Sequence, residues 1–501
     1  MDSGIENVKD VKFNIVNYIL SLLMILAIVL LPFSEEMKPT VLKRIFGIFA
    51  YEGAFYPFLM AAVLYGYLIA SGKILFPKEI SFKFLISFLI VIAVSGIFNF
   101  NAILHNHGYG TDGASRFLKT YMEVIFISVS VLIIYYVAKI KRKENTFNTV
   151  RKLLLISFVI PGLYALLQAL YLFGFKAILP LTEVLFQPLH LFLTPKFLNV
   201  NYNGRINSVT AEPSMLGTYL NFIFPWILSY FYTVGHGHKK WLVTALLVYI
   251  IFINFLTYSR TGYFEVIIGI IAYLLFARFS DNKSIIRITN KIIIVLIILF
   301  ISGVIFLGIT KRNKIINTYV SLSPSRIFNV KNNGSWRSNE SRLIPQLTGF
   351  KIAAAHPIFG VGFGQFGFYF SKYLPKWALN DPGLKAETNP DKYLVVGFPP
   401  ARGLLALIAA QTGFIGLFLW LSIWISLFYG VFKLYRKMGD ANIYMSLFGI
   451  IILSDIIIVF LDWISNDSFR FYSYWFTLGL GLYYIYCGKR LLASESDKAG
   501  C

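Results

Sequence analysis

The feature that most limits what this chain can become is a succession of long apolar runs. A helix that crosses a bilayer needs about 20 predominantly apolar residues. Twelve segments meet or approach that length: 15–33, 51–70, 84–104, 121–138, 153–175, 213–234, 241–259, 261–277, 292–310, 403–432, 441–461 and 471–488. They dominate the composition of the 501 residues, which is 57% hydrophobic and 14% charged, against about 45–50% and about 25% in soluble domains. That much apolar surface exceeds what one or two soluble cores can bury, which excludes a soluble enzyme, a disordered chain and a fibrous protein. The expected fold class is all-α: a polytopic integral membrane protein with about 12 transmembrane helices and one large outer loop between spans 9 and 10. The first run has no charged residue from Ile15 to Phe33 and no small-residue cleavage site, so it reads as a permanent span.

Lys and Arg counts set the orientation. With the N-terminus cytoplasmic, the inner segments carry 23 of them and the short outer turns 7. The longer outer loops 176–212 and 311–402 carry 3 and 13, but long loops translocate largely regardless of charge. Both termini are therefore expected in the cytoplasm. The net charge of +22 would suggest nucleic acid in a soluble protein. In a membrane chain it reads as positive inner loops or a polyanionic substrate, so the lipid bilayer is an expected partner and nucleic acid is not. Two cysteines, Cys487 and Cys501, make neither a disulfide framework nor a four-ligand zinc site.

The run 403–432 is long for one crossing and is expected to tilt or to begin above the bilayer. Loop 311–402 holds four acidic residues, Glu340, Asp381, Glu387 and Asp391, and aromatics that include Trp336, Phe359, Phe363, Phe366, Tyr373 and Trp377. Such content argues against simple disorder and for function. A helix over Ser341–Ala355, broken or started near Pro345, is expected within it. The tail from Ser494 is expected to be disordered.

Three places join an arginine to the outer start of a span. They are Arg205 in the segment to Glu212-Pro213-Ser214, Arg260 in the turn Thr257–Gly262, and Arg402 in Pro399-Pro-Ala-Arg-Gly403. Pro213 suits the first helical position. Helix N-termini present free N–H groups and about half a positive charge, and arginine grips phosphate with a planar fork. Together they form anion-binding corners suited to a diphosphate. For any one of them, anchoring at the headgroups is the simpler role. For three together it is not, because arginine is disfavoured on the outer side.

Arg342 adds a fourth guanidinium from the large loop. It precedes His356-Pro-Ile-Phe-Gly-Val-Gly-Phe-Gly364, whose glycines suit tight turns or close backbone approach better than a dinucleotide fingerprint, since no βαβ unit surrounds them. A lone loop histidine such as His356 is more often a structural hydrogen-bonding residue than a base. Of the carboxylates in or near spans (Glu52, Glu123, Glu265, Asp455 and Asp462), Glu265 and Asp462 are expected to orient an arginine. Glu212, at a helix start and seven positions after Arg205, is a candidate general base or arginine clamp. No GxxxxGK[ST] loop, HExxH motif or outer D-x-D pair occurs, so no metal site is expected. A diphosphate leaving group would rely on arginines and helix ends.

In their order along the chain, Arg205-to-Glu212-Pro-Ser214, Tyr258-Ser-Arg-Thr-Gly262, Ser341-Arg342, His356-Pro-Ile-Phe-Gly-Val-Gly362 and Gln411-Thr-Gly-Phe-Ile-Gly416 resemble the bacterial O-antigen polymerase and O-antigen ligase superfamily. The resemblance covers about 199–430 and delimits a polymerase/ligase-like core at 199–432. Around it lie N-terminal helices at 1–198, C-terminal helices at 433–490 and a polar tail at 491–501.

The resemblance implies a metal-independent glycosyltransferase without cofactor, at the outer face of the bacterial inner membrane. Its substrate would be an undecaprenyl-diphosphate-linked oligosaccharide, and a chain-length regulator is a conceivable partner. Arg205, Arg260 and Arg342 would contact glycan and diphosphate; Arg402 joins them from its place at a helix start. Glu212 is preferred to His356 as base. Ligases carry a His-Asn-type motif shortly before the glycine matched by Gly413. Arg402-Gly403 stands there in this chain, which favours a polymerase of O-antigen, capsule or exopolysaccharide repeat units. A ligase is the alternative, and a lipid-linked glycan transporter is the alternative of another class. The transporter should show internal repeats, and none is detectable.

Overall fold

A computed structural model describes residues 2–34, 45–46, 50–72, 74, 76–140, 143–189, 204–235, 237–294, 336–392, 398–438 and 442–499. Twelve longer helices organise them: α1 (Asp2–Val29), α2 (Phe55–Ala70), α3 (Ile80–Phe98), α4 (Gly113–Ile140), α5 (Lys143–Leu172), α6 (Pro213–Leu228), α7 (His238–Leu256), α8 (Arg260–Arg278), α9 (Trp336–Ala355), α10 (Leu404–Met438), α11 (Ile443–Asp462) and α12 (Tyr472–Ala499). The strands among the described residues are β1 (His107–Gly108) and β2 (Thr111–Asp112), an antiparallel pair just before α4.

Among the described residues, seven helices are long and apolar enough to cross a membrane: α3, α4, α5 from Thr146, α7, α8, α10 and α11. Shorter apolar helices cover Phe13–Val29 in α1 and all of α2. The chain is a polytopic, mostly helical membrane protein. Nearly all of the expected ninth span, 292–310, and the first part of the large loop lie outside the described residues.

Helix α8 shows how the apolar runs are used. Phe264, Ile267, Ile271 and Leu275 lie on an exposed stripe, each about half accessible. Glu265, Val266, Ala272 and Tyr273 face inward. A helix with its apolar face outward and a carboxylate inward suits lipid surroundings and a polar interior. Trp241, Leu242, Val248 and Phe255 of α7 extend the same apolar exterior, which would be a poor surface in water.

The long run 403–432 becomes α10, and the structure explains its length by a break. Gly413 has φ 69° and ψ −172°, so the helix stops and restarts there. The carbonyls freed just before the break are met from the large loop. Val361 N–H donates to the Ala410 carbonyl (3.0 Å) and Gly362 N–H to that of Gln411 (3.1 Å). Beyond the break, Phe414 N–H donates to the Pro357 carbonyl (2.8 Å). The Ser95 hydroxyl of α3 also donates to the Gln411 carbonyl (3.1 Å). The glycine-rich stretch after His356 is therefore a seam that docks the loop onto the broken helix. Gly360 has φ 64°, and a Cβ there would overlap the Ala410–Thr412 backbone.

Two further expectations are corrected. The loop helix is neither broken nor started at Pro345: α9 begins at Trp336 and runs through it. The tail is helical through Ala499 instead of disordered from Ser494, because Ala493-Ser-Glu-Ser-Asp-Lys-Ala499 contains no breaker before Gly500. Phe366 and Phe370 of the large loop are buried with Ile344, Ile352, Val361 and Leu374 in a second small core.

Candidate functional site

The starts of α6, α8 and α10 open on one cavity of about 170 Å³, whose lining includes Glu212, Ser214, Thr261, Arg342, Arg402 and Asp467. Each start is fixed locally. Glu212 is extended (φ −136°, ψ 149°), with Pro213 at the first helical position. Ser259 caps α8 by accepting the Gly262 N–H (3.2 Å), a standard way to satisfy an orphan donor. Before α10, the Arg402 main chain donates its N–H to Asp467 Oδ2 (2.9 Å), and its carbonyl accepts from Gln346 Nε2 of α9 (2.9 Å).

Three non-glycine residues with positive φ lie in the segments that lead into these helix starts: Ser208 (51°), Tyr258 (49°) and Arg402 (61°). Such conformations cost of order 1–3 kcal/mol and persist where surroundings over-determine them. Ser208 is held by Gln168 Oε1 and the Pro161 carbonyl of α5.

Of the four arginines named from sequence, Arg342 and Arg402 line the cavity, and the charges of Arg205 and Arg260 reach Arg342. Arg205 Nε donates to the Thr257 carbonyl (2.8 Å), tying the segment before α6 to the turn before α8. Arg260 begins α8. Arg342 Nη1 reaches Thr261 Oγ1 at 3.4 Å. Arg402 Nη2 pairs with Glu387 Oε1 (2.8 Å). Loss of solvent and then the charges of Arg402, Arg260 and Arg205 lower the Arg342 pKa, while Glu212 opposes them. Burial likewise pushes the Glu387 carboxyl up, and Arg402 pulls it back. Glu212 is exposed to the cavity, and its Oε2 accepts from Ser214 Oγ (3.2 Å).

His356 is elsewhere. It follows the C-terminal end of α9, whereas Arg342 lies near the start, and 14 helical residues span about 21 Å. Its Nε2 meets Tyr373 Oη (3.2 Å) and its ring packs edge-on against Tyr369. Burial and then Lys372 hold its pKa below the usual histidine range. Its surroundings are those of a loop-fixing residue.

Among the described residues, Glu265 and Asp462 pair with no arginine. α8 and α11 pack side by side and bring the two carboxyls within hydrogen-bonding reach of each other at the cavity wall. Asn221 Nδ2 donates to Glu265 Oε2 (2.7 Å), Thr218 Oγ1 to Asp462 Oδ1 (3.4 Å), and Asn466 Nδ2 also donates to Asp462. Glu265→Leu should cost about 2–3 kcal/mol, because it strands buried polar partners, whereas Glu265→Gln keeps a hydrogen-bonding group and should cost under about 1 kcal/mol. Thermal unfolding of both variants in detergent checks this; equal melting shifts would contradict it.

Sequence reasoning missed Asp467 and Glu387 as site neighbours. Glu387 was visible as one of few acids in a basic loop; nothing marked Asp467, in the turn after α11.

These helices define a polytopic membrane protein with a polar cavity, lined by arginines and carboxylates, where several helices begin. Residues 245–421 match the family model described as O-antigen ligase. The resemblance to the O-antigen polymerase and ligase superfamily is borne out over that stretch. It contains Arg260, Arg342, His356 and Arg402, while Arg205 and Glu212 precede it. No curated protein matches the chain.

Proposed function

We propose that this protein is a membrane glycosyltransferase that polymerises polyprenyl-diphosphate-linked oligosaccharide repeat units at the outer face of the bacterial inner membrane. The observation that carries this reading is the meeting of Arg342, Arg402 and Glu212 at a cavity onto which three helix N-termini open, with Arg205 and Arg260 near enough for their charges to reach Arg342. A diphosphate would pair with the guanidiniums and with the open helix ends. The lipid, undecaprenol by family resemblance, would lie along the apolar exterior. N- and C-termini would be cytoplasmic.

In this reading the Glu212 carboxylate takes the proton of an acceptor sugar hydroxyl. That oxygen forms a bond to the donor's anomeric carbon as the bond from that carbon to the diphosphate oxygen breaks. The polyprenyl diphosphate leaves with its charge held by guanidiniums and helix N–H groups, and no metal is required. Attack from the opposite face inverts the anomeric centre. Glu212→Gln should lower kcat about 100- to 10,000-fold, with donor affinity changed only a few-fold. A normal rate across pH would remove Glu212 as the base.

The family description favours a second reading, in which the glycan passes to a lipid or protein acceptor as in a ligase. A purified assay separates the two: a polymerase extends lipid-linked repeat units supplied alone, and a ligase needs a different acceptor. Loss of the gene in cells should leave single repeat units exposed outside. A transporter would instead trap them inside.

A further inference from the structure

Beside the anion cavity lies a second one of about 280 Å³, and Pro400 and Asp467 line both. It is enclosed by the first turns of α4, the start of α10, the loop at 398–401 and the turn after α11. Its walls combine Phe363, Phe366, Phe398 and Phe469 with Arg116, Lys119, Glu123, Gln411, Asp467 and Ser468. The Arg116 guanidinium lies 3.8 Å from the Phe398 ring centroid, and its Nε is buried without a hydrogen-bond partner among the described residues. Gln411 is 4% exposed, and its side-chain amide makes no hydrogen bond among the described residues. It faces a cavity that already has aromatic walls.

The charges select the ligand. Arg116 and Lys119 are balanced by Glu123 and Asp467, so this chamber does not favour a polyanion. An acyl chain would leave the Gln411 amide and the Arg116 Nε unsatisfied, at about 1–3 kcal/mol for each stranded group. A pyranose has what both kinds of wall need: C–H faces for the phenylalanines and hydroxyls for amide, carboxylate and guanidinium.

We propose that this second chamber binds one uncharged sugar ring of the acceptor chain. The shared wall at Pro400 and Asp467 lets a hydroxyl of that ring reach the donor in the arginine cavity. Reacting atoms must approach to about 3–3.5 Å, and two adjoining chambers achieve this while keeping the acceptor off the arginines. The acceptor role rests on the reading of the first cavity as the diphosphate site; the presence of a sugar site does not.

The test is saturation-transfer NMR on detergent-solubilised full-length protein, with methyl glycosides of glucose, galactose and N-acetylglucosamine as probes. At least one should receive saturation from the wild type. That signal should fall at least five-fold in Gln411→Leu and in Phe398→Ala, and persist in Arg342→Ala. Binding of polyprenyl diphosphate, measured on the same samples, should show the reverse pattern. Should Phe398→Ala fail to fold by size-exclusion profile, Gln411→Leu decides alone. No transfer to any of the three glycosides, or transfer unchanged by Gln411→Leu, overturns the sugar chamber. Failure of the wild type to bind polyprenyl diphosphate overturns the reading of the first cavity instead.

Discussion

Replacing Arg342 by alanine is expected to cut polymer formation about 100- to 1,000-fold, the effect of deleting one preorganised charge-stabilising donor, with the amount of folded protein unchanged. Both halves follow from its position. Arg342 is exposed near the start of α9, and its one described side-chain bond is the 3.4 Å contact to Thr261, so truncation removes little structural support. Its head group feels three other guanidiniums and Glu212, a field that an anion relieves. Arg205→Ala should lose polymer as well, with some loss of stability, because Arg205 also ties its segment to the Thr257 carbonyl. Arg342→Lys should retain part of the activity, since the charge remains while the planar fork is lost. Quantitative gels of polymer, normalised to monodisperse protein, check these outcomes. Normal chain length in both alanine variants would remove the arginines from diphosphate binding.

The largest effect on folding is expected from Gly413→Val. The φ of 69° and ψ of −172° belong to a region open essentially to glycine, and a Cβ would overlap the Ile358 carbonyl oxygen. Strain and overpacking together cost about 2–6 kcal/mol, a large share of the roughly 5–15 kcal/mol that holds a typical protein folded. The variant should accumulate poorly and elute as aggregate. The damage should reach the site through α9, because the seam at Pro357–Gly362 holds the loop whose other end carries Arg342. A Gly413→Val protein with wild-type melting temperature would contradict the role of the break.

The helical framework was legible because an apolar run of bilayer length is a direct physical signal. The described helices follow the expected runs. Arg205, Arg260 and Arg402 stood out for a related reason: guanidinium at a helix start expected on the outer side is unfavourable without a purpose. Pairings set by packing were not legible. Glu265 and Asp462 sit on different helices, and only the contact of α8 with α11 shows that they meet each other and not an arginine. Gly413 in an apolar run reads as a tolerated small residue, so the break in α10 was invisible and surfaced only as excess length. Asp467 carries no local signature, since its importance comes from the Arg402 N–H and from standing between two cavities.

The most direct measurement is reconstitution of the purified protein in liposomes with lipid-linked repeat units as sole substrate, with and without EDTA. Chains longer than one repeat should form, with release of one polyprenyl diphosphate per linkage made, at the same rate in both samples and not in Arg342→Ala. Repeat units that cross the bilayer without lengthening, or chain growth that stops with EDTA, would contradict a glycosyltransferase whose leaving group is held by arginine.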